Sequence, residues 1–228
     1  MDFNPDESKV VTLSYTDLVS ACIEPSSVNI NIDDIIDKAF GFTSLNSLGI
    51  IAITNIPNLQ AIRMKLLPIA EKLATLSNEE LSKITAHEAA YQVGWSHGRE
   101  KLEGDKPDLS KGSFYANPLT DNLVETMLER RKYDDKLHSR AADAVTTNSS
   151  DDIQDLLKWD VSTQYVSNED LKKLAQSNPA FFAPNVWPKD SIPELEVVFK
   201  EAGALVHSIG TMIAKCCDSY VLSRVSSI

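Results

Sequence analysis

Residues 184–220, PNVWPKDSIPELEVVFKEAGALVHSIGTMIAKCCDSY, decide how this chain folds. The first part is rich in proline and aromatic residues, which predicts an extended segment, and Pro193 suits the first turn of a helix. Apolar residues then recur with a period of about 3.6 residues, which predicts one long amphipathic helix. This apolar stripe comprises Leu195, Val198, Phe199, Ala202, Val206, Ile209, Ile213, Cys217 and Tyr220. Gly203 and Gly210 lie at its edge, which predicts a closely packed neighbour at each.

Upstream of this segment, short strands alternate with helices. Residues 10–15 and 50–54 are rich in β-branched and aliphatic side chains, which predicts two strands. Between them, residues 32–45 have helical spacing, and Asn31 precedes them as an N-cap. These elements predict an α+β, helix-rich fold.

The next helical pattern begins after Asn58, which is predicted to cap it. Pro68 lies inside this pattern and is predicted to kink or break the helix. Ser77 and Glu80 have the spacing of a capping box, which predicts the start of another helix. Further downstream, residues 122–144 and 169–176 are predicted helices, the first with a solvated, charged face, and residues 146–152 are a predicted linker.

Residues 91–118 combine four glycines and two prolines with interleaved aromatic residues, which predicts a long ordered loop or a set of short strands. Such a loop is often functional. If its second half is a strand, alternate residues share one face, although an ordinary half-exposed strand explains the pattern too. The residues of interest in this segment are Trp95, His97, Lys111, Ser113 and Tyr115. For His97 the alternative is a hydrogen bond within the loop, and Trp187 is predicted to be a core anchor.

Composition narrows the classes of function. A formal net charge of −11 disfavours binding to nucleic acid, because the chain repels phosphate. No apolar run approaches the roughly 20 residues of a membrane span, and no secretory signal is visible. Three cysteines, Cys22, Cys216 and Cys217, make a disulfide framework unexpected and favour a cytoplasmic setting. The adjacent Cys216 and Cys217 are predicted to be two small apolar groups on a helix, with redox activity as the alternative.

Three segments together resemble the N-terminal region of the 2-oxoglutarate/Fe(II)-dependent oxygenase superfamily, in the branch related to isopenicillin N synthase. The first is residues 10–84, with IIAITNIP and LSNEELSKI. The second is residues 91–118, with a glycine-aromatic-serine loop. The resemblance implies that this loop lines the mouth of the active site, so its candidate substrate-facing residues are Trp95, His97, Lys111, Ser113 and Tyr115. The third and most specific is residues 184–220, with an Asn-x-Trp-Pro motif followed by a helix. The resemblance departs from the family at Pro68, and residues 132–165 have no counterpart.

The resemblance implies non-haem iron chemistry in the full-length family: Fe(II) and 2-oxoglutarate as cofactors, and oxidation of a small organic molecule. A jelly roll (double-stranded β-helix) following the long helix would carry a His-x-Asp motif and a second histidine, because such an iron site needs two imidazoles and one carboxylate. No histidine here has Asp or Glu two positions later; the four are His87, His97, His138 and His207. We therefore expect a truncated oxidoreductase whose jelly roll is missing or incomplete, with no catalytic or metal-binding residues and no cofactor of its own.

This expectation divides the chain into three segments: a dioxygenase N-terminal-like region over residues 1–118, a charged insert and linker over 119–185, and the helix over 186–228. Two alternatives stay open. One is a non-catalytic interaction module, which self-associates or binds a protein through the helix face of residues 195–220. The other is a small-molecule binder that uses the loop of residues 91–118.

Overall fold

The computed structural model describes residues 10–23, 30–41, 47–141 and 166–225, with no side-chain description for residues 133–141 and 225. The fold is mixed α/β and rich in helix, with a few short strands. The described residues form two compact units. One combines the described residues up to Gln60 with those from Leu205 onward, and the other combines the described residues of the ranges 61–141 and 166–204. The division into three segments that the resemblance suggests stays a prediction.

The first unit begins with a strand–helix–helix–strand sequence. Its elements are β1 (Val11–Ser14), α1 (Tyr15–Ile23), α2 (Ile32–Phe40) and β2 (Ile51–Thr54). The two strands are parallel, with Val11 opposite Ile51 and Ser14 opposite Thr54. A parallel pair needs a long crossover connection, which the two helices supply. Both predicted strands are therefore confirmed to within one residue at each end.

Helix α2 begins where the sequence predicts. The Asn31 side-chain oxygen accepts a hydrogen bond from the Asp34 amide at 3.3 Å, which confirms the N-cap. The helix ends at Phe40 rather than at residue 45. Its buried face joins a core with β1, α1 and the C-terminal part of the long helix; the fully packed members are Leu13, Leu18, Ala21, Ile36, Ile209 and Cys216.

The second unit contains the remaining elements. These are α3 (Leu59–Ala74, of which the first two residues belong to the other unit), α4 (Asn78–Lys83), β3 (Gly94–His97), β4 (Gly112–Tyr115), α5 (Leu123–Ala141), α6 (Asn168–Ser177), α7 (Pro179–Phe182) and the first part of α8 (Glu194–Val225). Its main buried cluster is Ile69, Leu73, Ile84, Trp187, Ile192 and Leu195. The predicted helices of residues 122–144 and 169–176 correspond to α5 and α6, whereas the predicted linker lies outside the described residues.

Two helix predictions in this unit have different outcomes. The capping box is confirmed: the Ser77 hydroxyl accepts from the Glu80 amide at 3.3 Å, and Glu80 accepts from the Ser77 amide at 3.0 Å. A break at Pro68 is wrong, because α3 continues through it. Pro68 is exposed, so water can satisfy the carbonyl that loses its partner. Burial of Ile69 and Leu73 holds the following turn in place.

The helix face predicted over residues 195–220 is largely covered within the chain. Leu195, Val198 and Phe199 pack in the core of the second unit. Ile209, Ile213, Cys217 and Tyr220 pack in the core of the first unit. Val206 is the exception, with 63% of its surface exposed. Within the predicted stripe, apolar exposure therefore remains at Val206.

Helix α8 also has the length and composition of a membrane-crossing helix over Glu194–Arg224. A core helix of a soluble protein meets the same criterion, so this is weak support for a membrane span. The absence of a membrane span therefore stays a prediction.

The two glycines of α8 have opposite surroundings. A Cβ at Gly203 would lie 2.1 Å from the Cβ of Pro118, so the predicted close neighbour is confirmed there. A Cβ at Gly210 would meet no heavy atom within 4 Å, so the same prediction is wrong for that glycine among the described residues. The helical period locates the edge of a stripe, but it does not show which neighbour arrives there.

We expect Gly210→Ala to raise the free energy of unfolding by about 0.5–1 kcal/mol, because alanine loses less backbone entropy in a helix. Gly203→Ala should lower it by about 1–3 kcal/mol, because the added methyl group clashes with Pro118. Urea unfolding of both variants measures the difference. Each variant is the control for the other, because both replace glycine by alanine in the same helix. If both variants raised, or both lowered, the free energy of unfolding, the different surroundings of the two glycines would be contradicted.

Candidate functional site

Residues 91–118 contain an antiparallel hairpin of β3 and β4, and the candidate residues lie on different faces of it. Trp95 is opposite Phe114, and Ser96 is opposite Ser113. Opposite residues of an antiparallel pair lie on the same face. Trp95 and Phe114 pack against the core of the second unit, so Ser113 and Tyr115 share the other face of the hairpin. The hairpin therefore does not bring Trp95 together with Ser113 and Tyr115.

The two charged or titratable candidates are engaged with their own loop. The His97 Nε2 atom lies 3.2 Å from the Leu109 carbonyl oxygen, which is the hydrogen bond within the loop that the sequence left as an alternative. Lys111 precedes β4, and its Nζ lies 2.5 Å from Glu100 Oε2 in an exposed ion pair. The hydrogen bond to Glu100 and its charge raise the pKa of Lys111. Neither residue lines the two cavities described below, and their substrate-facing role stays a prediction.

A cavity of about 320 Å³ lies at the end of β4 in the second unit. Tyr115 lines it, and it alone among the five candidates does so within the described part of the chain. The other lining residues include Gln92, Asn117, Asp121, Phe181 and Phe199. Phe181 is 78% exposed, so an apolar ring is accessible at this cavity. A few polar groups among apolar walls are typical of small-molecule sites.

The side chain of Asp121 organises the polar side of this cavity. Its Oδ1 atom accepts hydrogen bonds from the Trp187 indole at 2.7 Å and from the Asn185 amide at 3.0 Å. Its Oδ2 atom accepts from Lys200 Nζ at 2.5 Å. Burial alone would raise the pKa of Asp121, but the hydrogen bonds from Lys200, Trp187 and Asn185 together lower it to about 2. Asp121 is therefore a fixed negative charge at neutral pH.

The Asn-x-Trp-Pro motif supplies two of these donors, and Asn185 has a second task. Its side-chain oxygen accepts a hydrogen bond from the backbone N–H of Asn117 at 2.7 Å. Its side-chain nitrogen donates to the backbone carbonyls of Asn117 and Thr120 at 2.7 and 3.1 Å. The motif thus fixes the turn of residues 117–121. Trp187 is 9% exposed in the core, which confirms the anchor prediction. The sequence indicated Lys200 only as the i,i+4 partner of Glu196, which the structure confirms at 2.7 Å. It did not indicate Asp121, because the partners of Asp121 lie 64 to 79 residues away.

The residues described here do not suit a non-haem iron centre. No three side chains of His, Cys, Asp or Glu gather at metal-binding distance in the described part of the chain. His87 Nδ1 is 2.8 Å from the Tyr91 hydroxyl, His97 contacts a carbonyl, and His207 lies on α8. The side chain of His138 is outside the description. A facial triad needs its three donors on one side of the metal, and this placement does not provide them.

A second cavity, of about 510 Å³, lies in the first unit and is lined by Cys22, Asn31, Asp33, Lys215 and Cys216. The Cys22 and Cys216 sulfurs are 4.0 Å apart, although 194 residues separate them. The hydrogen bond from Cys216 lowers the pKa of Cys22 to about 7, despite burial and with help from Lys215. The same contact raises the pKa of Cys216. The sequence singled out Cys216 and Cys217, whereas the structure pairs Cys216 with Cys22.

No protein-family model matches this chain, and neither does any curated protein or any solved structure.

We expect Asp121→Asn to lower the free energy of unfolding by about 1 kcal/mol, a value kept small because the carboxylate is 46% exposed. Because the folded pKa is depressed, the contribution is present above the unfolded pKa of about 3.9 and is lost as pH falls towards 2. Urea unfolding of both proteins at pH 7 and at low pH should show this gap closing.

Asp105→Asn is the matched control, because Asp105 forms an exposed ion pair with Lys101 and asparagine tolerates its φ of +65°. It should change stability by less than about 0.5 kcal/mol. Equal effects of the two variants, or a gap for Asp121→Asn that is independent of pH, would contradict the role assigned to Asp121.

Proposed function

We propose that this chain is the N-terminal region of a 2-oxoglutarate/Fe(II)-dependent oxygenase-like protein, whose parent activity is the oxidation of a small organic molecule. In this proposal the chain supplies part of the substrate-facing wall and of the scaffold, and it does not oxidise substrate by itself. The iron and 2-oxoglutarate belong to the jelly roll of the parent.

The observation that carries the proposal is the contact between two of the three resembling segments. Asn185, from the Asn-x-Trp-Pro motif, is bonded to Asn117 at the end of the second segment. Pro118 packs against Gly203 of the helix that follows the motif. Motif, loop and helix therefore act as one structural element, which is what a shared family feature would require. The aliphatic strand β2 and the capping box at Ser77 are consistent with the first segment.

Within this proposal, the cavity beside Tyr115 is the part of the wall that contacts substrate. Tyr115 offers a hydroxyl and a half-exposed ring, and Phe181 offers an exposed ring. Asp121 is a charge already held by three donors, so it positions the turn rather than reacting. The described residues present no pairing of a nucleophile with a base in this cavity, which favours binding over catalysis here.

Purified chain supplied with Fe(II) and 2-oxoglutarate should form no succinate above the rate without protein, because its described donors do not gather into a triad. His97→Ala and Lys111→Ala should leave this background unchanged. Succinate formation that the His97 variant abolishes would contradict the proposal.

The parentage is tested separately by sequencing the transcript beyond residue 228. The proposal expects a His-x-Asp motif in the same reading frame. A reading frame that continues without one would oppose it, whatever the result of the succinate assay.

The alternative is a non-catalytic module that self-associates through α8. One observation favours it: Val206, Gly210, Ala214 and Val221 are all exposed, and their spacing puts them on one side of the helix. The open space at Gly210 would let a second backbone approach closely. The partner proposed for this face is a second copy of the same helix, which carries the same small and apolar residues.

Under the alternative, sedimentation should reveal a dimer, and Val206→Asp should weaken it at least tenfold, which is about 1.4 kcal/mol. Ala204→Asp is the control, because Ala204 is exposed on the opposite side of the same helix. A protein that stays monomeric and binds no hydrophobic dye would eliminate this alternative.

A further inference from the structure

The pair of sulfurs in the first unit is a chemical feature that neither proposed function uses. Cys22 lies in the last turn of α1 and Cys216 lies in the C-terminal part of α8. Their sulfur atoms are 4.0 Å apart, and Cys22 also lies 3.6 Å from the Met212 carbonyl. A disulfide has a sulfur–sulfur distance of about 2 Å, so each sulfur would move by about 1 Å.

The surroundings differ for the two thiols, and this difference assigns their roles. Cys22 is half-buried and lines the 510 Å³ cavity, where a small oxidant has room to approach. Cys216 is 5% exposed and belongs to the core. When Cys22 is the thiolate, Cys216 is the S–H donor to it, and Lys215 supplies a nearby positive charge. Thiolates, rather than thiols, react with oxidants.

Cys217 is the natural comparison, because it is adjacent to Cys216 in the sequence. Neighbours on a helix point about 100° apart, so the two thiols do not reach for the same partner. Burial and the charge of Asp218 raise the pKa of Cys217, which keeps it as the unreactive thiol.

We propose that Cys22 and Cys216 are a peroxide-reactive thiol pair, in which Cys22 is oxidised first and Cys216 then closes a disulfide with it. In the first step the Cys22 thiolate attacks hydrogen peroxide. A sulfur–oxygen bond forms, the oxygen–oxygen bond breaks, and hydroxide leaves with the two electrons that the sulfur gives up. In the second step the Cys216 sulfur attacks the Cys22 sulfenic acid. The sulfur–sulfur bond forms, the sulfur–oxygen bond breaks, and the thiol proton leaves with the hydroxyl group as water.

The disulfide would close a loop of 194 residues and link α1 covalently to α8. Closing so long a loop restricts the unfolded chain strongly. The two sulfurs are in contact before oxidation, so the folded first unit needs little rearrangement. Oxidised protein should therefore resist thermal unfolding better than reduced protein.

The test is peptide mapping of the full chain after treatment with hydrogen peroxide. Trypsin releases Cys22 within residues 10–38 and both other cysteines within residues 216–224. The proposal expects these two peptides to be linked, with fragmentation placing the bond at Cys216. Cys217→Ser should keep the link.

Cys22→Ser should lose the link, and Cys216→Ser should lose it while leaving a sulfenic acid at Cys22 that dimedone traps. The linked peptides are sought in the wild-type protein, so the test does not depend on whether the variants fold. A bond from Cys22 to Cys217, or peroxide treatment that leaves Cys22 reduced while Cys217 is oxidised, would overturn the proposal.

Discussion

Helix α8 is the element on which the rest of the structure depends, because it contributes buried side chains to both compact units. Leu195 lies in the core of the second unit, whereas Ile209 and Cys216 lie in the core of the first. Burying one aliphatic side chain of this size stabilises a fold by about 1.5–3 kcal/mol. Gly203 and Gly210 each destabilise the same helix relative to alanine. At Gly203 the missing side chain allows Pro118 to approach closely.

The packing around α8 also explains why a single carboxylate matters in the second unit. Lys200 on this helix points its ammonium group at Asp121, and the same group is 2.7 Å from Glu196 and 5.6 Å from the Trp187 ring centroid. Two carboxylates and an aromatic face thus share one cation. Asp121 gains two further neutral donors from the Asn-x-Trp-Pro motif, which lowers its pKa where burial would raise it. The ion pair between Asp121 and Lys200 therefore joins the turn of residues 117–121 to helix α8.

Local patterns predicted most of the secondary structure and little of the candidate sites. The period of the apolar residues located α8, and the side chains of Asn31 and Ser77 located two helix starts, because helices and caps depend on residues three or four apart. The continuity of α3 through Pro68 was not predictable, because it depends on which side of the helix is solvated. The contacts of Asp121 and of Cys22 join residues 64 to 194 positions apart, and no period or spacing encodes such a pair.

The two kinds of chemistry that the sequence suggested differ in how many side chains the fold must bring together. Iron chemistry needs three donors on one side of a metal, whereas His87 contacts a tyrosine hydroxyl and His97, at the end of β3, contacts a backbone carbonyl. Thiol chemistry needs only two sulfurs close together, and α1 and α8 place Cys22 and Cys216 4.0 Å apart, where the hydrogen bond from Cys216 lowers the pKa of Cys22 to about 7. Because Cys216 is also a core residue, the packing that forms the first unit brings the pair together. Reactivity at Cys22 is therefore coupled to the integrity of that core, and partial unfolding of α1 would remove the hydrogen bond that keeps the thiolate stable.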